Sequence, residues 1–401
     1  MNSNNFCILS DKFQRVTDKN SIGNTNVLTI SAQHGLINQF EYYNHQYASE
    51  NTSGYTLLHK GEFAYNKSYS DGYPWGATKR LECYDSGVVS PLYICFSAKD
   101  GVCADFYSYY FESEPFFREI YKIAQEGARN HGLLNVSTED FFKTQIANPP
   151  LEEQRRIAEI LGCCDRMIAL KKELIAEKKK QKKALMQKLL NPDSGFRLPG
   201  FSGEWKKTTI GESGTFVKGK GIQNSQCTSV GFPCVKYGDI YMKYNISFNA
   251  AQSFTSESVF SESLQITSGA LLFTCSGEDP LEIGKCVLYS GSDYIAVGGD
   301  IIVMHPNESI SSDFLVHQQY SDDLIKQKSA LGKGNSIVHI HLPEIKSLKI
   351  SLPPTIKEQQ AIADILSAAD KEIDLLEQEL AQQEQKKKSL MQLLLTGIVR
   401  V

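Results

Sequence analysis

The segments LEEQRRIAEIL (151–161) and IKEQQAIADIL (356–366) are two copies of one pattern within a single chain. The second copy follows the first by 205 residues, and the same offset continues without a gap to the end of each copy. Close to half of the aligned positions in residues 153–190 and 358–395 are identical, and a Pro-Pro pair precedes each copy. A repeat of this length indicates a duplicated structural element.

Each copy predicts one long helix. Proline is tolerated at a helix start, and the acidic residues that follow early, Glu152, Glu153 and Glu358, suit the positive end of the helix dipole. Apolar residues then recur at alternating spacings of three and four, which is typical of a coiled-coil seam. The predicted seam residues are Leu161, Ile168, Ile175, Leu185 and Leu189 in the first copy and Leu366, Ile373, Leu380, Leu390 and Leu394 in the second.

A helix of roughly 37 residues is about 55 Å long at 1.5 Å per residue, too long for one small domain to bury. Either each helix packs on its own domain, or the two helices pair with each other, antiparallel about a pseudo-twofold axis. The charges favour pairing. Residues 171–188 are rich in lysine, whereas the matching stretch of the second copy includes Glu377, Glu379 and Glu384.

The segments that precede the two helices are rich in Tyr, Phe, Val, Ser and Gly and contain short apolar runs. Such segments predict mixed domains of several strands and a few helices. They end alike, at residues 127–150 and 331–354, and otherwise differ. The predicted organisation is a first domain at 1–150, a first long helix at 151–191, a linker at 192–204, a second domain at 205–352, and a second long helix with a tail at 353–396.

The fold class that follows is α+β. Two mixed α/β domains are joined by two long helices that pair as an antiparallel coiled coil with pseudo-twofold symmetry. The chain has 401 residues, of which 41% are hydrophobic and 22% charged, and this composition indicates a folded protein. No apolar run approaches the roughly 20 residues that a bilayer span needs, and the start lacks a secretory pattern. We therefore expect a cytoplasmic protein without a membrane partner.

The formal net charge of −4 argues against a protein that coats nucleic acid without specificity. It leaves open a specific DNA-binding protein whose basic residues are clustered. The ten cysteines form no CxxC pair, and the histidines are scattered, so we predict no metal site and no cofactor.

Two short motifs resemble catalytic patterns without completing them. NPPL (148–151) is similar to the Asn-Pro-Pro-aromatic loop of adenine methyltransferases, but Leu151 offers no ring to stack on a flipped base. GTFVKGKG (214–221) nearly matches a P-loop, but Gly221 stands where a Mg²⁺-binding Ser or Thr belongs. We predict that the chain has no catalytic residues.

These features together resemble the specificity subunits of type I restriction-modification systems. The segments that carry the resemblance are FRLPGFSGEW (196–205), LPPTIKEQQAIADIL (352–366) with its first-half counterpart, LMQKLL (185–190), LMQLLL (390–395) and LLTGIVRV (394–401). The first domain departs from the pattern, because it has no counterpart of residues 199–212 and begins near Phe6–Arg15. It either starts short or relies on the C-terminal tail.

The resemblance implies that each globular segment is a target recognition domain for one half of a bipartite site in double-stranded DNA. It also implies that the paired helices space the two halves. The partners that it implies are two methyltransferase subunits and the motor-nuclease subunits, which hold the adenine methyltransferase and ATP-dependent endonuclease activities of such complexes.

Basic, amide and aromatic residues in loops are the candidate DNA contacts. Arg commonly pairs with guanine and Asn with adenine, whereas Lys commonly contacts phosphate. The candidates are Asn66, Lys67, Tyr69, Tyr73, Lys79, Arg80, Arg129 and Asn130 in the first domain and Lys218, Lys220, Lys236, Tyr237, Lys333 and Asn335 in the second.

Two other interpretations remain open from the sequence. A DNA adenine methyltransferase or a fused restriction enzyme would need a cofactor loop and a complete catalytic tetrapeptide. A coiled-coil scaffold that binds only protein explains the helices but not the two differing domains.

Overall fold

The computed structural model describes residues 6–31, 34–45, 51–68, 73–124, 134–334 and 337–401. The chain divides into two compact units. Unit 1 consists of Met1–Lys172 and Gln378–Val401, and unit 2 consists of Glu173–Glu377. Both long helices contribute residues to both units.

Unit 1 contains a mixed set of short strands and helices ahead of its first long helix. Its strands are β1 (Phe6–Ile8), β2 (Phe13–Arg15), β3 (Leu28–Ser31), β4 (Gly35–Asn38), β5 (Thr56–His59), β6 (Phe63–Asn66), β7 (Ala77–Arg80), β8 (Ser86–Val89), β9 (Ile94–Ala98) and β10 (Gln145–Ala147). Its helices are α1 (Leu9–Lys12), α2 (Gln39–Tyr43), α3 (Ala104–Tyr110), α4 (Glu114–Ile123), α5 (Thr138–Lys143) and the start of α6 (Leu151–Leu189).

Unit 2 begins within α6 and ends within the second long helix. Its strands are β11 (Lys206–Thr209), β12 (Gly214–Lys218), β13 (Cys227–Thr228), β14 (Phe232–Val235), β15 (Ser247–Phe248), β16 (Ser253–Thr255), β17 (Leu264–Ile266), β18 (Ala270–Thr274), β19 (Ser276–Gly277), β20 (Cys286–Tyr289), β21 (Ile295–Val297), β22 (Ile301–Pro306), β23 (Val338–His339) and β24 (Lys349–Leu352). Its helices are α7 (Tyr237–Met242), α8 (Glu257–Glu262), α9 (Ser312–Gln318), α10 (Asp322–Leu331), α11 (Leu342–Ser347) and the start of α12 (Ile356–Leu395).

The same antiparallel sheet occurs in both units. Its strand order is β2-β9-β6-β7 in unit 1 and β12-β22-β18-β20 in unit 2, where β15 adds a parallel edge strand. In each unit the first strand pairs with the strand before the long helix, as β1 with β10 and β11 with β24. The two domains, which differ in sequence, therefore share one architecture.

The cores of the two units are filled by different side chains. In unit 1 the ring of Phe13 packs edge-to-face on Phe63, Phe96 and Tyr107, with centroid distances of 5.8, 5.4 and 5.1 Å. In unit 2 the corresponding sheet buries mainly aliphatic residues, such as Leu271. Because the packing differs, matching strands of the two domains carry unlike side chains.

The long helices pair antiparallel. In unit 1 the amino-terminal part of α6 lies against the carboxyl-terminal part of α12, where Lys171 pairs with Glu379, Lys172 with Glu384 (2.8 Å) and Lys387 with Asp165 (2.5 Å). In unit 2 the opposite ends meet, where Lys178 pairs with Glu372 (2.6 Å), Lys179 with Glu377 (2.7 Å) and Lys182 with Asp370. The predicted α+β fold class with an antiparallel helix pair is confirmed.

Most of the predicted seam residues lie on the inner face of this pair. Those that are buried are Leu161, Ile175, Leu189, Leu366, Ile373 and Leu394, and those that are half-buried are Ile168, Leu380 and Leu390. Leu185 differs from the prediction, because its side chain is 36% exposed and the neighbouring Met186 packs on the core instead. The heptad shifts by one residue there.

The repeated glutamine fastens each domain to its long helix. The Gln154 amide donates to the Pro149 carbonyl (2.8 Å), and its side-chain oxygen accepts from the backbone N–H of Cys103 (3.4 Å). Gln359 does the same with the Pro353 carbonyl (3.1 Å) and the N–H of Ser311 (2.9 Å). Both glutamines are buried, so each satisfies backbone groups that water does not reach.

An arginine from the segment after one long helix reaches a glutamate at the start of the other. Arg197 makes a bidentate ion pair with the buried Glu358 (2.9 and 2.7 Å). In unit 1, Arg400 of the C-terminal tail binds both oxygens of Glu153 at 2.9 Å. The tail therefore supplies to unit 1 the contact that the FRLPGF segment supplies to unit 2.

A second repeated contact joins the helix pair to the first helix after each sheet. In unit 1 the Tyr109 hydroxyl donates to Asp165 (2.7 Å), which also binds Lys387. In unit 2 His317 takes the tyrosine's place. Its Nε2 bonds the Ser367 hydroxyl (2.9 Å), and its Nδ1 lies 3.7 Å from Asp370, the partner of Lys182.

Burial, together with the Lys182 ammonium, lowers the pKa of His317 to about 4. An unfolded chain protonates this imidazole near its ordinary value of 6.5, so the unfolded state binds more protons between these values. We predict that lowering the pH from 7.5 to 5 destabilises the wild type by about 2 kcal/mol more than His317→Gln. Thermal unfolding of both proteins across this pH range measures the difference. Parallel pH profiles would contradict the prediction.

Within the described residues, each helix is too short or too polar to cross a lipid bilayer.

Candidate nucleic-acid interface

Two glycine-rich loops of unit 2 touch each other backbone to backbone. A Cβ atom on Gly219 would lie 2.1 Å from the Gly298 carbonyl oxygen, and one on Gly299 would lie 3.0 Å from the Gly221 Cα. Only glycine permits this approach. It fixes the segment that carries the exposed side chains of Lys218, the last residue of β12, and Lys220.

The start of α7 lies beside this contact. A Cβ atom on Gly298 would lie 3.5 Å from the Lys236 Cα. The Lys236 ammonium donates to the Asn224 side-chain oxygen (2.8 Å), and the Tyr237 hydroxyl donates to the Ser276 carbonyl (2.8 Å). Lys236 and Tyr237 therefore belong to the same group of loops as the lysines of the glycine contact.

Strand β19 extends this group towards Lys333. Ser276 pairs with His339 across the β19–β23 ladder, and Lys333 exchanges both backbone hydrogen bonds with His339 (2.9 and 2.8 Å). Five of the candidate DNA contacts of unit 2 thus lie on neighbouring segments. We call this group the basic loop cluster, and its members are Lys218, Lys220, Lys236, Tyr237 and Lys333.

The electrostatics of the cluster are mixed. Burial raises the pKa of the Cys275 thiol, and the nearby Lys218 ammonium opposes that rise. Burial and the carboxylates of Glu278 and Asp300 raise the pKa of Tyr237, whose hydroxyl stays protonated. Lys333 lies 3.2 Å from Glu344 but remains largely exposed. The cluster can therefore offer ammonium groups to an anionic ligand, whereas the Tyr237 hydroxyl proton is already donated to the Ser276 carbonyl.

In unit 1 the predicted contact Asn66 is the last residue of β6, and Lys67 follows the strand directly. The Asn66 side chain accepts from the Ser68 N–H (3.0 Å), and the Lys67 carbonyl accepts from the Leu134 N–H (3.0 Å). In unit 2 the residue after the matching strand β18 is Cys275, whose carbonyl accepts from the Ile340 N–H. Burial, and the charge of Arg15, lower the pKa of Lys67.

Lys79 and Arg80 lie elsewhere in unit 1. The Lys79 ammonium binds Glu112 (2.6 Å) and lies 5.6 Å from the centre of the Tyr73 ring. Arg80 binds Glu82 (2.7 Å) and Asp105 (2.6 Å). Their side chains are 10% and 18% exposed, so carboxylates already neutralise both charges in a cleft of about 860 Å³. This arrangement favours a structural role. Tyr69, Arg129, Asn130 and Asn335 lie outside the described residues.

The two motifs that resemble catalytic patterns have structural explanations. The Pro149 carbonyl of NPPL is occupied by the Gln154 amide. Gly214–Lys218 of the P-loop-like segment is a strand in an antiparallel sheet, and no helix follows it directly as a P-loop requires. Among the described residues, no three His, Cys, Asp or Glu side chains are grouped to hold a metal ion.

Sequence reasoning missed the contacts of the repeated glutamines and of the two arginines. The sequence did contain a signal for the glutamines, because Gln154 and Gln359 occupy equivalent positions of the repeat and are identical. Arg197 and Arg400 lie outside the aligned repeat, so only the fold brings them to equivalent glutamates.

The fold and the loops define a protein with a duplicated sheet domain, an antiparallel helix pair and a basic loop cluster. A family model described as "Type I restriction modification DNA specificity domain" matches residues 85–179 and 202–385. Because this match covers more than half of the chain, the chain belongs to the type I restriction-modification DNA specificity family.

Two curated relatives come from Methanocaldococcus jannaschii. The chain is 27% identical over 329 residues to the type I restriction enzyme MjaVIII specificity subunit, an alignment that covers 79% of this chain and 75% of the relative. It is 30% identical over 304 residues to the putative type I restriction enzyme MjaX specificity subunit, where the shares are 71% and 65%.

Two solved structures share the fold. One is the type I restriction-modification S subunit from M. genitalium, with a TM-score of 0.58, 17% identity, and coverage of 98% of this chain and 97% of that chain. The other is a chain from a study of assembly and conformational transition of the type I R-M system, with a TM-score of 0.58, 15% identity, and coverage of 98% and 96%.

The contact between the glycine loops predicts a sharp difference between two neighbouring substitutions. Gly219→Ala places a methyl group against the Gly298 carbonyl and should destabilise the protein by about 1–3 kcal/mol. Gly221→Ala is the matched control, because a Cβ there meets no atom within 4 Å. Thermal unfolding should show a lower midpoint for Gly219→Ala alone. Equal midpoints would contradict the loop contact.

Proposed function

We propose that the chain is the DNA-binding specificity subunit of a type I restriction-modification complex, and that it recognises a bipartite site in double-stranded DNA. In this proposal each of the two units contacts one half of the site. The observation that carries this proposal is the duplication of one sheet domain with different loops, each fastened to the same helix pair.

The duplicated framework and the divergent loops have separate tasks in this proposal. The framework contacts recur in both units, as Gln154 and Gln359 illustrate. The residues that follow matching strands differ, since Lys67 follows β6 in unit 1 and Cys275 follows β18 in unit 2. Because base edges are distinguished by side chains, two unlike loop sets on one framework suit two unlike half-sites.

The antiparallel helices act as the spacer between the half-sites and as the binding surface for other subunits. Two methyltransferase subunits and the motor-nuclease subunits bind around the chain, and they carry out the chemistry in the cytoplasm. The chain itself contributes no catalytic group. Since the framework is repeated, two copies of one partner would meet equivalent surfaces. A scaffold that binds only protein is less well supported, because it gives no role to the basic loop cluster.

Exchange of one domain tests the bipartite arrangement. Replacing residues 1–148 by the corresponding domain of another family member should change one half of the methylated motif and leave the other half and the spacing unaltered. Single-molecule detection of methylated adenine in host DNA reports both halves at once. A motif without two parts, or a change in both halves, would overturn the proposal.

The exposed lysines of the glycine contact are expected to bind phosphate. Replacing Lys218 and Lys220 together by alanine should weaken binding to all DNA sequences and reduce the slope of log affinity against log salt by about 0.9 per lysine. The control is the double replacement of Lys326 and Lys349, which are also exposed lysines of unit 2 but lie outside the cluster. Titrations of the methyltransferase complex with labelled DNA at several salt concentrations measure the slopes. An unchanged slope would exclude these two contacts.

A further inference from the structure

Strands β19 and β23 form a two-stranded ribbon at the edge of the basic loop cluster. Ser276 pairs with His339 and Gly277 with Val338. Lys333 pairs with the other edge of His339, so the chain returns on itself just before β23. The major groove of B-DNA admits a two-stranded ribbon of this kind.

The ribbon is held rigidly from behind. The hydroxyls of Tyr237 and Tyr241 both donate to the Ser276 carbonyl, at 2.8 and 2.9 Å. Gly277 lies so near α7 that a Cβ atom would be 3.0 Å from the Tyr241 hydroxyl. Val338 is 3% exposed and packs in the core of unit 2. A base-contacting element needs this rigidity, because hydrogen bonds to base edges depend on fixed geometry.

The outer face of the ribbon carries a row of exposed side chains. Val338 and Ile340 point into the core, while Ile337, His339 and His341 alternate with them and are exposed. The rings of His339 and His341 are parallel, with centroids 6.4 Å apart. Alternate residues of a strand are about 6.7 Å apart, which is close to two base steps of about 3.4 Å each.

The outward atoms suit base edges better than phosphate. Ser276 binds His339 Nδ1 at 2.9 Å and so fixes the plane of the ring. Of the described residues, none bonds His339 Nε2. The Nε2 atom offers a single hydrogen-bonding group there, which fits the edge of a purine. Ile337 is 53% exposed next to this polar row, and an exposed aliphatic side chain suits the methyl group of thymine.

We propose that the β19–β23 ribbon is the base-contacting element of unit 2, in which His339 contacts a purine edge and Ile337 contacts a thymine methyl group. This inference rests on the proposed function and assigns specificity to residues outside the lysines of the cluster. Those lysines position the protein on phosphates, whereas the ribbon selects the sequence.

Selection of binding sites from random double-stranded DNA by the methyltransferase complex tests the ribbon. His339→Ala should lose discrimination at one position of one half-site, by roughly 5- to 100-fold, and leave the other half-site unaltered. Replacement of the contacted thymine by uracil, which lacks the methyl group, should weaken binding of the wild type but not of Ile337→Ala. The matched control is His59→Ala, which changes an exposed histidine of unit 1. It should keep the wild-type preference at the position where His339→Ala loses discrimination.

The results separate the two levels of inference. If the wild type selects a bipartite motif and both ribbon variants select the same motif with equal preference, the ribbon proposal is overturned and the proposed function stands. If the wild-type complex selects no motif, both are overturned. A change confined to one or two positions of a single half-site supports the ribbon.

Discussion

Each unit completes its core with leucines from the long helix that follows the other domain in the sequence. Leu394 and Leu395 of α12 are buried in the core of unit 1, and Leu189 and Leu190 of α6 are buried in the core of unit 2. Full burial of a leucine contributes about 1.5–3 kcal/mol, so neither domain closes its core with its own segment alone. The antiparallel pairing of α6 and α12 is therefore a condition for folding, and the rest of the structure depends on it.

The charges on the helices determine which helix pairs with which. Exposed ion pairs such as Lys179–Glu377 contribute little to stability, about 0–1 kcal/mol each. Their value lies in discrimination, because the lysine-rich stretch of α6 would meet like charges in any pairing with itself. Apolar ends thus supply the energy of association, while the charged middle sets the partner and the register.

The sequence predicted the framework much better than the loops. The repeat and its apolar spacing predicted both helices, their antiparallel pairing and the class of fold. The register at Leu185 was wrong by one residue, because a heptad interrupted by lysines does not show which of two adjacent apolar residues faces inward. The shared sheet could not be predicted from the sequence. The same strand arrangement is packed by aromatic side chains in unit 1 and by mainly aliphatic side chains in unit 2.

The sequence alone also does not show which candidate contacts are free to bind DNA. From the sequence, Lys79 and Lys218 were equally good candidate contacts, because both are lysines in segments that resemble loops. Only the fold shows that Glu112 neutralises Lys79, whereas a glycine contact holds Lys218 at the surface. The alternation at His339 and His341 was visible in the sequence, but its partner strand β19 lies some sixty residues earlier. The framework therefore follows the local periodicity of the sequence, whereas the residues of the basic loop cluster are brought together only by the fold.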